Sequence, residues 1–185
     1  MAETPSNKNL LGCEFDAATA KAVAGKNIVA LVTNKTGNVP LCIAGQQGLS
    51  FDMEAETTEA ATKDDSTGGW SVKFHGAKNW SASVDGLWSI DDDANKMIAA
   101  ALVDDEYLCL KICQRIKTDA ALVYKPIRMG LAIVTSDNFE APNDDNATYS
   151  IDFDGTGKPW LIETASEAEI EAATLTIPYQ NVAEG

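Results

Sequence analysis

The stretch GLSFDMEAETTEAATKDDSTGGWSVKFHGAKNWSASVDGLWSI, Gly48 to Ile90, decides how the rest of the chain is read. Its first part alternates Leu49, Phe51, Met53 and Ala55 with Ser50, Asp52, Glu54 and Glu56. Successive side chains of a strand leave the backbone on opposite sides, so this spacing predicts a half-buried strand over Leu49 to Thr57 with one acidic face. The plan returns in Trp80, Ala82 and Val84 against Asn79, Ser81, Ser83 and Asp85, and Gly86 then suits a bulge or bend. Thr58 to Ala77 lies between them as a long polar excursion. Connections of that length are usually functional or disordered, and Trp70 and Phe74 would expose large apolar surfaces unless something covered them. The excursion is therefore expected to be an assembly arm, covered by its own chain or by another copy.

Around this stretch the chain reads as mainly β. Lys26 to Thr33 is a buried strand, and Val39 to Ala44 is its hairpin partner across a turn-rich tract. Asp91 to Asp93 followed by Met97, Ile98, Ala101 and Leu102 predicts a helix from Asp92 to Val103, the acids capping it and complementing its dipole. Glu106 to Lys117 and Lys125 to Ser136 form a strand pair. Leu108, Leu110 and Ile112 point to one side of the first, and Ile127, Met129, Leu131 and Ile133 to one side of the second. Lys111, Arg115 and Arg128 on the mixed faces are candidates for pairing with acids of a neighbouring subunit. Asp137 to Asn146 reads as a loop and Ala147 to Asp154 as a strand with a second acidic face, Asp152 and Asp154. Ser166 to Ala173 is a short helical stretch, and Thr174 to Tyr179 is strand-like and suited to a neighbour's sheet edge.

Charge narrows the function. The chain has 28 acids against 14 bases, a net charge of −14. Residues 51–100 carry ten acids and four bases and residues 136–185 eleven and one, while the remainder is near neutral. Tight nucleic-acid binding needs clustered Lys and Arg, so this composition speaks against it. No apolar run approaches the eighteen or so residues of a membrane span, and the N-terminus lacks a secretion-signal layout. Four cysteines, Cys13, Cys42, Cys109 and Cys113, form no framework and read as small buried hydrophobes. Cys109 and Cys113 would sit about 13 Å apart along a strand, too far to bridge.

Catalytic and cofactor signatures are missing. His75 is the only histidine, so no imidazole cluster can be built, and there is neither a Walker loop nor a dinucleotide fingerprint. Asp152, Asp154 and Glu163 fall at calcium-loop positions one, three and twelve, with Gly157 at six. The segment is entered by a strand rather than a helix, which favours a plain turn. A calcium- or carbohydrate-binding β module stands as the alternative reading.

One resemblance is specific. The Glu59-Ala60-Ala61-Thr62-Lys63-Asp64-Asp65 segment, the Gly69-Trp70 pair and the K-x-W-S-x-S-x-x-G strand from Lys78 to Gly86 resemble the major tail protein family of long-tailed phages. Tyr107 to Thr135 is more weakly similar, as is the closing Ala147 to Gly157 with its G-T-G turn, so the likeness spans residues 26–163. The resemblance implies a structural protein of the virion, made in the host cytoplasm, whose copies form stacked, usually hexameric rings. It also implies a tape-measure protein, terminator or tip proteins, and DNA that passes without tight binding. The inner tube of a contractile tail or injection machine is the nearer alternative.

The expectation is two packed antiparallel sheets or a flattened barrel with one flanking helix, no cofactor and no catalytic activity. Residues 1–25 would form an N-terminal arm, 26–163 the tail-tube domain and 164–185 an extension. Asp52, Glu54, Glu56, Asp152 and Asp154 would face a lumen. Thr62, Lys63, Asp64, Asp65, Gly69, Trp70 and Phe74 would order against an adjacent ring.

Overall fold

A computed structural model describes residues 23–34, 40–60 and 72–178. Eight strands and two helices follow in order: β1 (Ile28–Asn34), β2 (Leu41–Cys42), β3 (Gln46–Ala60), β4 (Val72–Leu87), α1 (Asp93–Val103), β5 (Leu108–Lys117), β6 (Ala121–Glu140), β7 (Thr148–Leu161), α2 (Glu167–Ala173) and β8 (Leu175–Pro178). The fold is mainly β, as expected, but the strands belong to one antiparallel sheet ordered β2-β1-β5-β6-β7-β4-β3. No second sheet is needed to cover the apolar face, because the sheet curls until its two ends meet. Gln46 makes the junction: its Oε1 accepts from Ala30 N, and its Nε2 donates to the carbonyls of Ala30 and Ile43, each at 2.8 Å. A side-chain amide thus imitates a strand's peptide group and links β3 to β1 across the opening.

The main core fills the inside of the curl with rows set by register. Ala82 stands opposite Phe153 and Phe153 opposite Val134, with Val84 opposite Ile151 in the next row. Helix α1 adds Ala94, Ile98 and Ala101, while Leu102 stays 37% exposed. A smaller cluster, Val29, Leu31, Cys113 and Tyr124 with Leu122 and Leu175, occupies the reverse face. Strand β1 is buried on both faces, which is why its sequence is apolar without alternation.

Asp92 caps α1 by accepting from Ala94 N, and its other oxygen accepts from Ala44 N, both at 3.0 Å. The acid run therefore begins a helix and ties it to the β2–β3 turn. Asp92→Ala is expected to cost about 2 to 3 kcal/mol, combining a lost cap with an orphaned Ala44 N–H. Asp92→Asn, which keeps one acceptor, should fall between alanine and wild type in urea denaturation.

Thr58 to Ala60 and Val72 to Ala77 are strand, not loop, with Thr57, Thr58, Glu59 and Ala60 paired to His75, Phe74, Lys73 and Val72. Both faces of this hairpin are exposed, so no apolar alternation announces it. Strand β6 runs on to Glu140, into the expected loop, and β7 on to Leu161, through the presumed turn. Side chains of such a strand alternate rather than converge, so the calcium-loop spacing does not become a loop. On β6 the core side is Ala132 and Val134, and Ile133 is exposed. Strand β8 pairs with Ala121 to Tyr124 of its own chain, on the length of β6 that β7 leaves open, rather than with a neighbour. Among the three described cysteines only Cys113 is buried; Cys42 is exposed.

Candidate functional site

The register joins the two acidic sets on one surface. Asp52 stands opposite Ser81, and Ser81 opposite Asp154; in the next row Ser50 faces Ser83 and Ser83 faces Asp152. Directly opposed residues share a face, and these rows lie on the side away from Ala82, Val84 and Phe153. Glu54 extends the surface beside Asn79, and Asp85 pairs with Ser150. On β6, Ser136, Asn138 and Glu140 lie opposite Asp152, Ser150 and Thr148 and carry it to a fourth strand. No Lys or Arg stands at any of these paired positions. Asp52, Glu54, Glu56 and Asp154 are exposed, and Asp152 is half-buried.

Glu56 lies at a register shift, where Gly76 lets the strands close: a Cβ on Gly76 would come 3.0 Å from that of Glu56. Phe74, opposite Thr58, is 54% exposed. Thr62, Lys63, Asp64, Asp65, Gly69 and Trp70 lie outside the described residues. The arm's other side carries Lys73, His75 and Lys78 opposite Glu59, Thr57 and Ala55, with Lys73 Nζ 3.4 Å from Glu59. A two-stranded arm results, acidic on one side and of mixed charge on the other, where Glu59 offsets Lys73.

Trp80 anchors the arm to the body. Its ring stacks on Phe51 at 5.2 Å between centroids, and its Nε1 donates to the Gly157 carbonyl at 3.0 Å. Asp85, Glu140 and the serine rows were missed as site residues. Their period-two spacing was readable, but not which strands would be neighbours.

Arg128, expected to seek a neighbouring subunit, instead holds Glu163 of its own chain through two contacts of 2.6 and 2.8 Å. Hydrogen bonding to the guanidinium is the main cause lowering the Glu163 carboxyl below its ordinary 4.5. A lowered carboxylate stabilises the fold above its unfolded value and ceases to do so as pH falls through the folded one. With Glu163 largely exposed, Glu163→Gln is expected to cost less than about 1 kcal/mol at pH 7 and nothing near pH 2, as read by urea titration.

Among the described residues no group of three His, Cys, Asp or Glu could hold a metal ion. No described helix is long and apolar enough to cross a membrane. What the face offers is negative charge on a paired sheet with no Lys or Arg at the facing positions.

The description "phage tail tube protein" belongs to the family whose profile matches residues 22–160. A search of the curated proteins finds no match. Among solved structures, a chain of the virion of a native gene transfer agent particle is 21% identical, with 76% of this chain and 98% of that one covered and a TM-score of 0.58. The SPP1 tail tube gives 14% identity, 85% and 80% coverage and a TM-score of 0.56. A chain of the anti-feeding prophage baseplate gives 10%, 78% and 99%, with a TM-score of 0.54. At these identities the structural likeness concerns the fold, while the family match covers more than half of the chain. The chain belongs to the phage tail tube protein family, and it is a structural component of the tail tube of a phage-like particle.

Proposed function

We propose that six copies of the chain close into a ring, that rings stack head to tail, and that the face bearing Asp52 and Asp154 lines the bore. The observation that carries this reading is the cross-strand row Asp52, Ser81, Asp154, continued by Asp152, Asp85 and Glu140 with no base among its partners. Like charge along a wall offers phosphates nothing to displace, so DNA passes without adhering. Six-fold order is supported by analogy: a similar gene transfer agent tail has C6 symmetry, at 22% identity and a TM-score of 0.59. A tape-measure protein inside the bore and terminator or tip proteins at its ends are the partners such a tube requires.

The tube works without catalysis. In support, the single histidine lies on the exposed arm, and the carboxylates follow regular strand faces rather than a cleft.

Electron microscopy of concentrated protein should show hollow tubes with a central hole. Changing Asp52, Glu54 and Glu56 together to lysine should leave tubes intact and slow DNA ejection at least about tenfold, with the delay relieved by salt. Unchanged ejection through a lysine-bearing tube would refute the lining.

A further inference from the structure

The sheet divides beyond Ser81. Strand β4 pairs with β7 only from Ser81 to Leu87, and its remaining length runs out beside β3, while β7 follows β6 to Leu161. Between them opens a cleft of about 640 Å³ lined by Met53, Trp80, Pro159 and Leu161, with Lys78 and Lys158 against the single acid Glu54 at its charged part. Met53 is 52% exposed although it continues the row in which Leu49 and Phe51 pack on the core. Neither lysine forms an ion pair with another described residue.

A second surface on the same chain has the opposite character. Helix α1 ends in Leu102 and Val103, 37% and 79% exposed, followed by Asp104, Asp105 and Glu106. The end is well defined: Asp104 N donates to Ala100 O and Glu106 N to Ala101 O, both at 2.9 Å, with Asp105 at φ 54°. Three acids thus sit at the negative pole of the helix, and its last turn has no base. That arrangement is unfavourable in an isolated copy, and a cationic partner would relieve it.

We propose, resting on the ring-and-stack reading above, that the acid-tipped end of α1 on one copy seats in the lysine-bearing cleft of the next. Val103 and Leu102 cover Met53, Pro159 and Leu161, and the carboxylates of Asp104 and Glu106 meet Lys78 and Lys158. Knob and cleft are different surfaces, so every copy gives one and receives one, the heterologous contact from which rings and stacks grow. The patch of Trp88, Ile90 and Phe139 is a weaker occupant. Its two rings already cover each other at 5.0 Å, and the neighbouring Asp92 is spent on its cap.

The test is a charge exchange in the full chain, with circular dichroism confirming the fold of each variant. K78E/K158E and D104K/E106K should each lower tube yield at least about tenfold at low salt, and the four changes together should restore it. Two folded single sets that assemble like wild type, or a combination without rescue, would overturn the contact. Rescue of K78E/K158E by D91K would overturn it in favour of the aromatic patch. In a parallel measurement, a photo-crosslinker at position 103 in assembled tubes should label peptides containing Met53 or Pro159, and labelling elsewhere counts against the contact. Wild-type tubes with indifferent variants would sink this inference alone, whereas wild-type protein that never forms rings or tubes would sink the assembly reading as well.

Discussion

Gly155→Ala is expected to destabilise the protein by about 3 kcal/mol or more, at the upper end of overpacking costs. A Cβ on Gly155 would lie 1.9 Å from Cε2 and 2.1 Å from Cδ2 of Trp80, so the two cannot coexist without movement. Neither partner is free to move. Gly155 is registered against the fully buried Ala132, and Trp80 is held by Phe51 on one side and by the Gly157 carbonyl at its edge. Gly130 repeats the constraint, its added Cβ meeting the ring at 2.3 Å. Trp80→Leu alone should cost about 2 to 4 kcal/mol by emptying the site, but the double variant should be less damaged than the sum. Urea denaturation of the four proteins reads the coupling. A Gly155→Ala change of under about 0.5 kcal/mol, within the usual range of surface substitutions, would contradict the packing.

Gln46→Glu should be nearly as costly and in a way that depends on pH. The carboxylate can still accept from Ala30 N, but it cannot donate to Ala30 O or Ile43 O, and it places charge against two carbonyl oxygens now 2.8 Å from a donor. A loss of about 3 kcal/mol at pH 7 is expected, against about 2 for Gln46→Ala, which removes the partners without adding a charge. Protonation restores one donor, so the new carboxyl is pushed above its unfolded value of about 4.3. A raised group stabilises below the unfolded value and loses that contribution as pH rises, so the penalty should shrink toward pH 4. Hydrogen exchange at Ala30 and along β1 should quicken in both variants. An undisturbed β1 would mean that the curl closes without this amide.

Much of the architecture was written locally. Alternation at Leu49 to Phe51 and at Trp80 to Val84 marked two strands, and Asp92 ahead of Ile98 and Ala101 marked the helix and its cap. Such signals depend on neighbours one to four residues away, which any reading of the chain can see. The outer arm escaped because both its faces are exposed, and alternation is visible only when one face is buried. Arg128 looked unpaired because its partner Glu163 is 35 residues away.

By itself the sequence determined which segments extend, where the helix starts, and that two strands carry acids on one side. Only the tertiary structure decided that these acids form one surface. The row from Asp52 through Ser81 to Asp154 exists because β4 pairs with β3 on one edge and with β7 on the other. Pairing between strands distant in the chain is chosen by the packing of Phe153, Val84 and their neighbours in a shared core, and no local pattern in the sequence contains that choice.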